Sequence, residues 1–427
     1  MSAGIFAGIR AAPLAVLTSI VLVATLDRTR HHERAQTPGG YSAEAASAPS
    51  STPRDRLPAA RARDVPPDAP VATGGPHLLH GDAHHSHRAH GRIPEHANIA
   101  WTFRADGPIE AQTVVSPDET TLYVSTLGGT LWALDRLGKP RFHVGLGGRG
   151  YGTPYVAKNG MVYVGRDGGA FLALDVNGRV VWQVETDGDA DTGVTELPGG
   201  VLVFGAGSHL YGVGPDGRVT FRFDARGKIF STPALVEDDE GPWIVFGSQD
   251  HHVYALRTDG ALRWSTDVGH DVDTSPALSD DGQAIFVGTD GDEVLRLARD
   301  GHIVWRTPTQ GMVRGALSVA RNGDLLAGVY GPSPRVLRVT DSGAVAFAFA
   351  VRGHGTRETG VWGGPLEDDD GALAFGAQDG RVHVLDPDGH ERWSYDAHAD
   401  VDAPLTLLAD GAVIVGSYDG DVVAIAR

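Results

Sequence analysis

From Ser275 to Trp305 the chain reads SPALSDDGQAIFVGTDGDEVLRLARDGHIVW, with its apolar residues in short runs separated by acidic and glycine breaks. Ala277 and Leu278 start it, and runs follow at Ala284 to Val287, Glu293 to Leu297 and Ile303 to Trp305. The breaks are Asp280-Asp281-Gly282, Asp290-Gly291 and Asp300-Gly301. Glycine accepts positive φ without steric cost, and aspartate hydrogen-bonds its own backbone, so Asp-Gly marks a tight turn. The stretch therefore predicts a four-stranded antiparallel meander.

The same unit recurs along the chain. Its closing aromatic returns at Trp101, Phe142, Trp182, Phe221, Trp264, Trp305, Phe347 and Trp393, at spacings of 41, 40, 39, 43, 41, 42 and 46 residues. Four strands at a period near 40 predict an all-β protein, an eight-bladed β-propeller of four-stranded antiparallel blades over residues 93–427. The first run after each aromatic is expected innermost, with the aromatic on the outermost strand. The chain ends inside a blade, at Val422 to Ala426, so the strand near Trp101 is expected to supply the missing edge and close the ring. Gly138, Gly178, Gly217, Gly260, Gly301, Gly343 and Gly389 each stand four residues before an aromatic, where closing a short hairpin accounts for them.

The run Ala173-Leu174-Asp175-Val176-Asn177-Gly178-Arg179-Val180-Val181-Trp182 is echoed from Leu385-Asp386 through Gly389 to Trp393. Both resemble the tryptophan-docking motif of pyrroloquinoline-quinone (PQQ) type propellers, and Gly247-Ser248-Gln249-Asp250 resembles the strand end that precedes it. The resemblance covers about three-quarters of the chain and implies a disc in which the eight aromatics stack between blades, each contributing roughly 1.5 to 3 kcal/mol on burial. The turn from Asp175 to Gly178 is one residue shorter than in the quinone-dependent dehydrogenases, and the chain has no cysteine for their vicinal disulfide. It is similar instead to the non-catalytic members, those of the outer-membrane protein assembly machinery among them, although it also lacks a lipidated cysteine.

Other segments add detail. Residues 11–26 form an uncharged apolar run that predicts a signal peptide or membrane anchor within residues 1–28. Export to the periplasm, cell envelope or medium follows. Arg28, Arg30 and Arg34 after the run outnumber Arg10 before it, which for an uncleaved anchor favours a cytoplasm-facing ring. Residues 29–92, rich in Ala, Pro, Ser, Arg and His, predict a disordered linker. Within it His84, His85, His87 and His90 are candidate metal ligands at a cell surface.

A net charge of −18 argues against a nucleic-acid partner. The loops entering the innermost strands gather at one mouth of the channel and bring together Asp187, Asp189, Asp191, His270, Asp271, Asp273, Arg352, His354, Arg357, His398, Asp400 and Asp402. Such a funnel suits a polar ligand or a divalent cation. Asp187-x-Asp189-x-Asp191 has the spacing that opens a calcium loop but lacks its glycine and its twelfth-position glutamate. Trp362, between Gly360 and Gly363, marks an unusually long seventh loop. The expected function is a non-enzymatic scaffold for protein or peptide partners, with no cofactor. The alternatives are an oxidoreductase holding PQQ and a divalent cation in the funnel, and metal binding by the His-rich linker.

Overall fold

A computed structural model describes residues 78–356 and 359–426. They form eight four-stranded antiparallel sheets arranged as an eight-bladed β-propeller, seven of them running in sequence order from inner to outer strand. Blades 1 to 7 comprise residues 114–145, 155–185, 195–224, 234–267, 277–308, 318–350 and 366–396, and blade 8 comprises 406–426 with Asn98–Arg104 as its outer strand. Trp101 pairs with Ala424 and Phe103 with Val422, so the two ends of the ring are hydrogen-bonded together. Blade 5 has strands Ala277–Leu278, Ala284–Thr289, Glu293–Ala298 and Ile303–Pro308, as the apolar runs predict.

One turn departs from expectation. In the break at Asp290-Gly291 the positive φ belongs to Asp292, at 59°, and Gly291 is absent from the positive-φ glycines. Gly291 serves a close approach instead: a Cβ there would lie 2.2 Å from Cδ2 of His270.

The docking aromatics show how neighbouring blades are joined. In every outer strand the register slips by one residue immediately before the aromatic, as between Ile303 and Trp305. A bulge at this place sharpens the twist and turns the ring toward the next blade. There the ring lies under the glycine turn. Gly301 has φ +85°, and a Cβ on it would sit 2.6 Å from the Trp264 ring, so glycine is required twice over. The tryptophans also donate Nε1–H to carbonyls of that turn: Trp101 to Arg136, Trp182 to Pro215, Trp264 to Arg299 and Trp305 to Asp341, at 2.8 to 3.0 Å.

Most of these aromatics are only half-buried, so each falls short of the full burial that the docking resemblance implies. The apolar core instead divides into eight clusters, each bridging two adjacent blades. Val245 and Val253 of blade 4, for example, pack with Ile285 and Leu295 of blade 5. These aliphatic side chains of the middle strands are fully buried and supply the larger apolar area. The aromatics cap each seam from outside.

Residues 78–92 are not a disordered linker. They are packed against the inner strands as a strap, described below, because the inner edge of a propeller carries N–H groups that need acceptors. Residues 29–77, the 1–28 segment and Arg357 lie outside the described residues.

Candidate functional site

The channel has two mouths, set by the direction of the inner strands. At the first, loops from the outer strand of one blade enter the inner strand of the next. Ahead of seven of the inner strands, Ile109, Gly150, Ala190, Ile229, Val272, Val313 and Val401 donate backbone N–H to the last residue of the preceding blade's second strand or the one after it, at 2.8 to 3.2 Å. That repeated bond fixes the register. The next residues, Glu110, Tyr151, Asp191, Phe230, Asp273, Arg314 and Asp402, with Trp362 from blade 7, therefore take equivalent places around the mouth. Four carboxylates, three aromatics and one guanidinium make up this ring of eight.

The loop clustering expected from sequence thus places Asp191, Asp273 and Asp402 together. Glu110 and Arg314 belong with them and were missed because residue type varies at this position. The backbone register, read as a small or β-branched residue just before it in each loop, was the signal that would have found them.

Asp402 is the least accessible carboxylate of the set, at 4% exposure, and its Oδ1 has no hydrogen-bond partner. Burial raises its pKa well above the usual carboxylate value, and the nearby Glu110 and Asp400 add to the effect. Tyr330, 1% exposed with its hydroxyl unpartnered, lies in the same field and is raised by burial and then by Asp402 and Glu110. Its ring meets Trp362 edge-on with centroids 5.7 Å apart, so the long seventh loop packs its tryptophan against blade 6.

The remaining candidates spread outward. Asp187 is exposed and ion-paired to Arg222, and Tyr211 donates to its Oδ2 at 3.2 Å. It therefore stays apart from Asp189 and Asp191, whose carboxylate oxygens instead lie within 4.8 Å of each other and of Asp167. Asp189 also accepts the N–H of Gly168 at 2.8 Å. His270 is exposed beside Gly291. Asp271 faces His251 Nε2 at 3.1 Å, and burial, then Asp290, raises its pKa. Asp273 takes a long 3.4 Å contact from Gln249 Nε2. Arg352 and His354 are exposed, and His398 pairs with Asp396 at 3.0 Å.

At the opposite mouth runs the strap. One N–H from each of four successive inner strands is accepted by it: Leu235 by Ala83, Leu278 by His84, Val319 by Ser86 and Glu367 by His87, at 2.9 to 3.1 Å. From there the buried histidines reach along the channel. His80 Nδ1 meets the Leu317 carbonyl, His85 Nδ1 that of Pro276, and His87 those of Gly364 and Leu405. Gln112 of blade 1 completes the circuit, accepting the His80 N–H at 2.8 Å and donating to Leu405 O at 3.1 Å. Arg88 donates Nε–H to Val319 O at 2.7 Å.

Of the four histidines considered as metal ligands, His85 and His87 are thus buried on carbonyls, His84 is half-buried and His90 is exposed. They do not form a set of three with converging ligand atoms among the described residues. A cavity of about 260 Å³ remains between the strap and blades 1 and 8, bordered by His80, His87, Arg88, Gln112 and Thr406.

Comparison with known proteins adds the following. The family model described as outer membrane protein assembly factor BamB matches residues 94–238 and 249–327. BamB of Burkholderia pseudomallei (strain K96243) is 26% identical over 308 residues, 66% of this chain and 75% of that protein. The crystal structure of BamB from Moraxella catarrhalis superposes with a TM-score of 0.62 at 17% identity, covering 77% of this chain and 97% of the other. Quinohemoprotein alcohol dehydrogenase from Comamonas testosteroni superposes with a TM-score of 0.68 at 13% identity, covering 84% and 81%. At these identities the two solved structures show the fold alone. PQQ, which the wider fold family implies, is a tricarboxylate. The four carboxylates of the loop-mouth ring, set against the single guanidinium of Arg314, do not suit it.

Proposed function

Because the chain belongs to the family of outer membrane protein assembly factor BamB, whose model matches it over residues 94–238 and 249–327, we propose that it is a non-enzymatic scaffold of the cell envelope that holds protein partners during outer membrane protein assembly. The family match carries this reading, since it runs from blade 1 into blade 6. The geometry supports it. A ring tied shut by its own N-terminal strand is a rigid platform, and its loop mouth presents charged and aromatic side chains suited to a protein surface. The apolar run at residues 11–26 supports export.

The experiment combines depletion with crosslinking. Loss of the chain is expected to lower the amount of folded outer membrane protein, and photocrosslinkers at Arg352 or His354 are expected to capture a component of the assembly machinery. Unchanged outer membrane protein levels together with no such capture would overturn the scaffold reading. Dye reduction by the purified chain supplied with PQQ and calcium would overturn its non-enzymatic part.

A further inference from the structure

Besides its backbone bonds, the strap is held in the channel by imidazoles whose protonation the site opposes. His80 and His85 donate Nδ1–H to the carbonyls of Leu317 and Pro276, at 2.9 and 2.8 Å. A carbonyl only accepts, so Nδ1 carries the proton of each neutral ring. Both rings are fully buried, and neither Nε2 has a hydrogen-bond partner. A second proton would therefore put a charge in a desolvated place, which the backbone of His85 offsets only in part at His80.

His87 differs, because its two nitrogens already face two acceptors, Gly364 O at 2.8 Å and Leu405 O at 2.9 Å. Burial nevertheless lowers its pKa to about 4. The three rings also crowd one another. His80 stacks on His87 at 4.0 Å and meets His85 edge-on at 6.5 Å, so charging two of them creates repulsion. For His80, burial is the main depressing cause, followed by His87 and His85.

The charged groups around the strap do not remove this opposition. Asp82 favours the charged forms of His85 and His87, yet burial outweighs it, and its carboxylate already accepts the N–H groups of His84 and Ser86. His84 opposes charge on His85. Arg88 faces Asp280 of blade 5, Arg321 of blade 6 faces Glu367 of blade 7, and Glu119 of blade 1 borders the cavity with His90. The strap's backbone is loaded as well: His80, His85 and His87 hold φ of 57°, 56° and 54°, which is costly for residues with a Cβ.

We propose that residues 78–92 are an acid-released closure of the channel, in which protonation of His80 and His85 frees the strap from the inner strands and opens that mouth. Folded-state values below the unfolded one make the contribution complete above about pH 6.5 and lost as pH falls. This goes beyond the scaffold reading and stands if that reading fails.

The test is amide hydrogen exchange on the full chain between about pH 7 and about pH 5, corrected for intrinsic exchange. The amides of Leu235, Leu278, Val319 and Glu367 are expected to lose protection about tenfold or more, while Leu295 in a second-layer hairpin keeps its own. In the double variant His80→Gln/His85→Gln the four amides are expected to stay protected. Unchanged protection in the native chain, or equal loss in the double variant, overturns the proposal. Should the variant not seat its strap at neutral pH, imidazole nitrogen resonances of the native chain decide. Release while His80 and His85 are still neutral would then sink the idea.

Discussion

At one mouth of the ring, the inner-strand N–H groups of Leu235, Leu278, Val319 and Glu367 are taken up by a strap of the same chain. At the other, the residues leading into those inner strands include Phe230, Asp273, Arg314 and Trp362. The first mouth is closed by backbone hydrogen bonds and buried histidines. The second bears varied side chains on a repeated backbone. Inner-edge N–H groups place a demand that any extended segment with free carbonyls can meet, whatever its side chains. Side chains in the loops are free of that demand, so they vary from blade to blade and can serve recognition.

Removing residues 1–92 should break this contrast most severely, because both mouths would then be open. The inner-strand amides would face the channel, Leu78 would be lost from an apolar cluster of blades 2 and 3, and the buried Leu79 would be lost with it. With hydrogen bonds at about 1 kcal/mol each and the lost apolar burial, we expect roughly 3 to 6 kcal/mol less stability. Thermal unfolding reads this directly. An unchanged midpoint would show that the strap contributes nothing to the ring.

The Gln112→Ala change strikes the same mouth at one point. Gln112 is buried, and its amide serves both the His80 N–H and the Leu405 carbonyl. Truncation leaves both groups without that partner, at a cost of about 2 to 3 kcal/mol by denaturant unfolding. Less than about 0.5 kcal/mol would mean that the strap relaxes onto other partners.

These two changes touch what the sequence hid most completely. The segment LLHGDAHHSHRAH has no apolar period and the composition of a linker, and its order comes mostly from bonds to residues 150 and more positions away, such as Pro276 and Leu405. No local pattern records such a partner. By contrast, the eight blades were legible because aromatic, glycine and strand recur near every 40 residues. Ring closure at Trp101 was legible for the same reason, since the last repeat lacked its outer strand. The loop mouth was half legible. Asp191, Asp273 and Asp402 stood out as acidic residues in loops of known place, whereas Glu110 and Arg314 emerge only from the bonds of Ile109 and Val313. The bulge before each docking aromatic left no mark, because Ala100, Arg141 and Val304 have nothing in common as residues.

Asp402→Asn tests the loop mouth with the opposite sign. The carboxyl's folded value is raised by burial and by Glu110 and Asp400, so its favourable contribution holds at acid pH and is lost as pH rises through that raised value. The neutral amide removes this penalty and can still accept the side-chain hydrogen bond that Gln378 gives Asp402. The variant should therefore be more stable than the native chain at pH 7, by roughly 1 to 2 kcal/mol, with the difference vanishing below about pH 4. A destabilised variant at pH 7 would mean that the buried carboxylate is compensated by a partner group.

Asp187→Ala should have the smallest effect, and it separates the mouth from its rim. Asp187 lies in the same loop as Asp191, but it is exposed and engages Arg222 and Tyr211 on the outer strands of blade 3. Exposed ion pairs are screened and contribute about 0 to 1 kcal/mol, so unfolding should shift by no more than about 0.5 kcal/mol. Crosslinking from Arg352 should be equally unaffected if the mouth is the binding surface, since Asp187 engages Arg222 and Tyr211 and is not part of the Asp167, Asp189 and Asp191 group. Loss of capture with stability intact would instead extend the recognition surface to the outer strands around Arg222. The ring of eight would then be only the inner part of a broader docking face.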